Sequence, residues 1–154
     1  MKLSLLTAFI LFAWMVGWAR LAHENPAGET LRIGREAYMA KVFGSMKEGR
    51  HTPEGLVPAG EDVFVGAQQW MWVGLPVVLQ AGKEYRVHLG SFDVQHGFGV
   101  HREKKLIEQF SLQVLPGYEW ILPMRFTYPG TYDVECNEFC GVGHRTMHGQ
   151  IIIK

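Results

Sequence analysis

The chain has little cysteine and no surplus of either charge. Of its 154 residues only Cys136 and Cys140 are cysteine, and lysine plus arginine equals aspartate plus glutamate at 15 each. The balanced charge removes the usual footprint of a nucleic-acid binder, and no nucleic-acid partner is expected. Two cysteines make no disulfide framework. A bridge between these two would close so short a loop that it removes little unfolded-state entropy. Internal repeats and low-complexity tracts are absent. Long helices are disfavoured too, because 18 glycines punctuate the chain with turns.

One long apolar run is present, and it lies at the start. Leu3 to Ala19 reads LSLLTAFILFAWMVGWA without a charge. At about 1.5 Å per residue, a helix extended to Ala22 just crosses a hydrocarbon core of about 30 Å. Trp14 and Trp18 fall toward its C-terminal end, where an interfacial belt wants them. They also occupy the place where a cleaved signal peptide needs small residues. Lys2 precedes the run and Arg20 follows it, an asymmetry that leans toward a cytoplasmic N-terminus. Residues 1–22 are therefore expected to be an uncleaved single-pass anchor in membrane lipid. The remainder is placed on the extracytoplasmic side, periplasmic or outer.

Residues 23–60 read as a connector broken by proline and glycine from Pro26 to Gly60. One short helix is predicted there, over Glu36 to Met46, with Tyr38, Val42 and Phe43 sharing a face. Its expected seat is the membrane surface or a partner subunit. From residue 61 to 154 the texture changes to short β-type runs. In Glu84–Leu89, for example, Tyr85, Val87 and Leu89 alternate with Glu84, Arg86 and His88, as in a half-buried strand. Turns at Pro116-Gly117 and Pro129-Gly130 divide further runs. Seven or so strands with this spacing predict an all-β, antiparallel sandwich or barrel.

Chemistry concentrates in Cys136-Asn137-Glu138-Phe139-Cys140-Gly141-Val142-Gly143-His144-Arg145-Thr146-Met147. Two thiols, an imidazole and a thioether form a soft donor set, suited to copper or zinc rather than magnesium or calcium. Gly141, Gly143 and a strand ending at Cys136 favour a loop over a helix. Taken singly, Met147 reads as core and His144 as a hydrogen-bonded histidine; four soft donors on one short loop point to a metal. Zinc sites seldom use methionine, whereas copper electron-transfer sites use it as a weak axial ligand. A single blue-copper ion would take Cys140, His144, Met147 and one upstream histidine, and would leave Cys136 idle. Two thiolates bridging two copper ions use every donor. Among upstream histidines, His88 reads as solvated on the polar side of its strand. His101 opens a charged surface loop, His101 to Lys105, and His96 sits beside Gly97, where a backbone can approach closely. His148 is too near Met147 to point the same way.

These residues resemble subunit II of the haem–copper oxidases, the carrier of the dinuclear CuA centre. The family pattern Cys-x-Glu-x-Cys-Gly-x-x-His-x-x-Met stands at Cys136 to Met147 without a gap. Its Ser-x-Asp-Val-x-His-x-Phe stands at Ser91 to Phe98, and its Gln-Trp-x-Trp at Gln69 to Trp72. The resemblance implies a cupredoxin-like Greek-key β-barrel behind one transmembrane helix. It implies dinuclear copper bridged by Cys136 and Cys140, with His96 and Met147 on one ion and His144 and the Glu138 carbonyl on the other. It places Trp70, and less directly Trp72, where cytochrome c or a small cupredoxin would deliver an electron. It also implies a haem-bearing catalytic subunit I, and a magnesium ion at that boundary touched by the Glu138 side chain. Many members have two membrane spans; this chain has room for one. A CuA-type nitric oxide reductase, or a membrane-anchored copper-delivery protein, is the alternative reading.

Overall fold

The computed structural model describes residues 2–21, 28–102 and 110–154. Residues 22–27 of the expected anchor end and connector lie outside the described residues, as do residues 103–109 beyond the start of the predicted surface loop. Helix α1 runs Lys2–Leu21. Its large apolar side chains, from Leu5 to Trp18, are mostly exposed, and Trp14 meets Trp18 edge-on at 5.2 Å. Among the described residues no helix is long and apolar enough to cross a membrane; the side chains of α1 are described only from Ser4 to Trp18.

The rest is two packed sheets. One has five strands in the order β1 (Glu29–Arg32), β10 (Tyr118–Arg125), β7 (Glu84–Ser91), β4 (Asp62–Gln68), β5 (Met71–Val73). The other has seven, in the order β2 (Arg50–Thr52), β3 (Gly55–Val57), β6 (Val77–Leu79), β12 (His148–Ile153), β11 (Gly130–Cys136), β8 (His96–Arg102), β9 (Phe110–Val114). Most ladders are antiparallel, as predicted, but β4–β7, β3–β6 and β6–β12 pair in parallel. The core lies between the sheets. Val63, Val65, Val87, Leu89 and Leu122 of the first face Phe98, Val100, Val134, Ile151 and Ile153 of the second. Strict alternation drives this, because one face of each strand must leave water.

The segment read as a connector contributes structure of its own. It supplies β1 to β3 and helix α2 (Arg35–Glu48), which spans the predicted helix. Tyr38 and Val42 do share a face, but they press on the outer side of the five-stranded sheet with Phe92, while Phe43 remains exposed. Two glycines make that seat. A Cβ on Gly90 would lie 2.5 Å from the Tyr38 ring, and one on Gly66 would lie 2.2 Å from the Phe92 ring. The Tyr38 hydroxyl reaches the carbonyls of Val65 (2.9 Å) and His88 (3.0 Å).

His88 corrects the sequence reading. It does point to the outer, polar side of β7, yet it is buried at 7% exposure and is not solvated. Its Nδ1 meets Glu119 Oε1 at 2.7 Å and its Nε2 meets Asp62 Oδ1 at 2.9 Å. Phe64 stacks on the ring at 4.2 Å. Alternation gives the side of the sheet; neighbouring strands and side chains decide whether that side is wet.

Candidate metal centre

The donor residues come from two places that the second sheet brings together. His96 opens β8 and Cys136 ends β11, and these strands are neighbours with Cys136 opposite Phe98. Between β11 and β12 the chain makes the donor-rich loop, with a single 3-10 turn at His144–Thr146. The Cys136 amide bonds the Met147 carbonyl at 3.3 Å, closing the base of the loop. The Asn137 amide donates to the Gly97 carbonyl at 2.9 Å, tying the loop to β8. That approach requires Gly97, since a Cβ there would stand 2.8 Å from the Glu138 nitrogen. The close backbone approach expected at this glycine is present.

Cys136 and Cys140 are free thiols, their sulfurs 3.7 Å apart. That is far beyond a disulfide, at about 2.05 Å. Each sulfur faces an imidazole: Cys136 Sγ lies 3.8 Å from His96 Nδ1, and Cys140 Sγ lies 3.7 Å from His144 Nδ1. The Glu138 carbonyl oxygen is 3.2 Å from Cys136 Sγ. Its carboxylate instead accepts from Gln113 Nε2 at 3.2 Å, at the surface. Met147 is fully buried in the same core cluster as the two cysteines.

The donor set fits a metal. Two sulfurs sharing an ion at about 2.3 Å, with a near-tetrahedral angle, lie about 3.8 Å apart; sulfur and imidazole nitrogen on one ion lie about 3.5 Å apart. The observed spacings sit close to both values. His96, Cys136 and Cys140 offer ligand atoms that all fall within 4.8 Å of one another, and all three residues are buried. Burial, and then the neighbouring Cys136, push the Cys140 thiol up to about 11. Without a cation the site therefore holds protons, which a metal must displace on binding.

Two residues that the sequence offered no role hold this geometry. Asp93 Oδ1 meets His96 Nε2 at 2.8 Å, which turns Nδ1 toward the sulfur. Burial alone would raise the Asp93 carboxyl; His96 and the amides of Gln69 and Val94 outweigh it and hold it below its usual value. Gln69 works from the other side. Its amide donates to Asp93 Oδ2 at 2.7 Å and its side-chain Nε2 to the Cys140 carbonyl at 2.5 Å. In the sequence Asp93 stands inside the Ser-x-Asp-Val-x-His pattern, three residues before His96, but nothing there assigns it a role. Trp70 lies over the loop: a Cβ on Gly143 would stand 2.5 Å from its ring, and 38% of the residue is exposed. Trp72 is 5% exposed, within the core, edge-on to Phe98 at 5.3 Å. The two tryptophans thus part company, one at the surface of the site and one beneath it. His88 and the candidate donors are on different sheets; His101 and His148 lie on the strands of the second sheet, outside the sulfur cluster.

Comparison with known proteins follows the same line. No protein-family profile matches the chain. Cytochrome c oxidase subunit 2 of Thermus thermophilus is 35% identical over 92 residues, which is 60% of this chain and 64% of that one. The chain thus spans less than two thirds of the relatives it matches; for the same subunit from another strain of that species the share is 52%. A chain of a heme-copper terminal oxidase dimer solved by cryo-EM superposes with a TM-score of 0.59 at 26% identity, covering 99% of this chain and 98% of that one. Reduced rusticyanin, at 16% identity and a TM-score of 0.54, covers 83% of this chain and shares the fold. That fold is cupredoxin-like, mostly β in two sheets. By sequence and by fold, the chain is similar to subunit 2 of the cytochrome c oxidases.

Proposed function

We propose that this chain is the subunit through which electrons enter a membrane-bound haem–copper oxidase. Its centre would be dinuclear copper, held by His96, Cys136, the Glu138 carbonyl, Cys140, His144 and Met147. The observation that carries this is the paired geometry of two unbonded thiols, each with its own imidazole at 3.7–3.8 Å. One blue-copper ion, taking Cys140, His144, Met147 and His96, would leave the buried Cys136 thiol without purpose.

When bound, the copper pair would supply one-electron transfer with the charge shared between two ions. The chain's own residues do the rest. Asp93 fixes the His96 ring and Gln69 the backbone of Cys140, so neither residue needs to swing between oxidation states. Burial of Cys136, Cys140 and Met147 keeps water off the sulfurs. Trp70, exposed over Gly143, is the group on which a donor such as cytochrome c or a small cupredoxin would land. Trp72 is too deep for that contact and serves the core. A haem in a partner subunit would receive the electron, and oxygen reduction would take place there. The Glu138 carboxylate would face that partner, where a magnesium ion would sit.

The exposed apolar flank of α1 supports reading residues 1–22 as an anchor in lipid, with residues 61–154 as the copper domain on the extracytoplasmic side. Residues 23–60 then join the two. Copper analysis with electron paramagnetic resonance tests the centre: two ions per chain and one unpaired electron spread over both are expected. A single ion with a localised signal rejects the reading.

A further inference from the structure

We propose that Phe92 is a positioning residue for the metal centre: its ring, pegged between α2 and the five-stranded sheet, sets the backbone from which Asp93 reaches His96. This role rests on the reading of His96 as a metal ligand. It adds a residue that lies outside the core holding the sulfurs.

Phe92 follows the last residue of β7, in the bend that leads to His96 at the start of β8. Its side chain is 2% exposed, yet it packs with Tyr38 and Val42 under α2. Cys136, Cys140 and Met147 belong to the other cluster, between the sheets. Side-chain packing therefore does not join this ring to the sulfurs, and what it does for the centre passes along the chain to Asp93. The ring is held from both sides. Tyr38 tilts against it at 5.9 Å and Phe43 at 6.3 Å. Beneath it lies Gly66, where a Cβ would come within 2.2 Å of a ring atom.

The backbone around the peg is pinned to match. The Phe92 amide donates to the Ala67 carbonyl at 2.8 Å, one residue beyond Gly66. Ser91 Oγ donates to the Val94 carbonyl and so braces the bend. Between these ties stands Asp93, with both oxygens engaged. Oδ2 accepts from the Gln69 amide at 2.7 Å; Oδ1 accepts from the Val94 amide at 2.6 Å and meets His96 Nε2 at 2.8 Å. An ionised carboxylate only accepts, so Nε2 carries the hydrogen and Nδ1 is left bare toward the Cys136 sulfur. A carboxylate that orients a ligating imidazole works by placement. That placement is as firm as the backbone beneath it, and the buried ring is what anchors this backbone.

The role is testable first without metal. In the copper-free full chain in detergent, nitrogen-resolved NMR should show the His96 Nε2 proton exchanging slowly with water. Phe92→Ala should speed that exchange at least about tenfold, because the bend can then open locally. Glu119→Ala, which loosens α2 through its bond to Lys41 and leaves the peg in place, should not change it. Copper affinity, in competition with a chelator, should fall about tenfold in Phe92→Ala. The double variant Phe92→Ala/Asp93→Ala should lose no more than Asp93→Ala alone, since the peg then has nothing left to place. Should Phe92→Ala not fold, Phe92→Leu, which keeps an apolar side chain in the seat, carries the same expectations. Unchanged exchange in the Phe92 variant, equal acceleration in Glu119→Ala, or additive losses in the double variant would each overturn the proposal. Failure of the unaltered chain to take up copper would instead reject His96 as a ligand, while the exchange rates test the peg by themselves.

Discussion

His96 and His88 are both buried, both lie against a carboxylate, and their strands follow one another in the chain, yet their chemistry differs. His88 is closed: Glu119 takes one ring nitrogen and Asp62 the other. His96 is half open: Asp93 takes Nε2, and Nδ1 faces a sulfur with which it makes no strong bond. Burial alone does not separate a ligand from a structural histidine. The partner of the second nitrogen does. The closed histidine belongs to a polar chain, Lys41–Glu119–His88–Asp62–Arg86, that fastens α2 to the outer face of its sheet. The open one belongs to the loop.

The comparison breaks most completely at the thiols. Cys140→Ser should abolish the delocalised two-copper signal and leave at most one ion, read by metal analysis and paramagnetic resonance on the same sample. The closed cluster should respond in stability without touching copper. Glu119→Ala leaves His88 and Lys41 facing a void; losing one member of a buried pair typically costs about 3–5 kcal/mol. Because the Lys41 side chain is 42% exposed and can recover water, about 2–3 kcal/mol is expected by denaturant unfolding, with the copper absorption unaltered. A loss of copper in that variant would erase the distinction drawn between the two histidines.

Asp93→Ala tests the open side. Copper affinity should fall about 10–100-fold in competition with a chelator, while two ions still bind at saturation. The smallest effect concerns acid. The Arg86 guanidinium, bidentate at 2.6 Å, holds the Asp62 carboxyl at about 2 instead of 3.8, with a lesser contribution from His88. The folded value is below the unfolded one, so this pair stabilises the chain above about pH 4 and ceases to do so as pH falls toward 2. Asp62→Asn should flatten that limb of the stability profile slightly, since the pair is exposed and screened by salt.

The strands from Val63 to Ile153 were legible because alternation and turn residues are local properties. So was the donor loop, whose residue types and spacing carry their chemistry in the sequence itself. His88 was not legible, because its lid comes from Glu119 on a strand far away in the chain. The seat of α2 was hidden for a related reason. Gly66 and Gly90 read as weak strand residues, and only the pleated sheet reveals that they form one smooth patch for Tyr38 and Phe92. Gln69 was visible as the first residue of the Gln-Trp-x-Trp segment, but its role was not, because an amide side chain reaching a carbonyl leaves no pattern in spacing.

The bond between the Cys136 amide and the Met147 carbonyl has a wider meaning. It seals the donor loop at its neck, where β11 and β12 are already paired from Glu135 and His148 onward. Everything between the two residues is then a cassette hung from a finished sheet. Its exposed residues, Phe139 and Val142, can change without disturbing the barrel that carries it. The buried donors Cys140 and Met147 cannot, because they are also core, so the metal chemistry of this loop and the packing of the sandwich must be altered together.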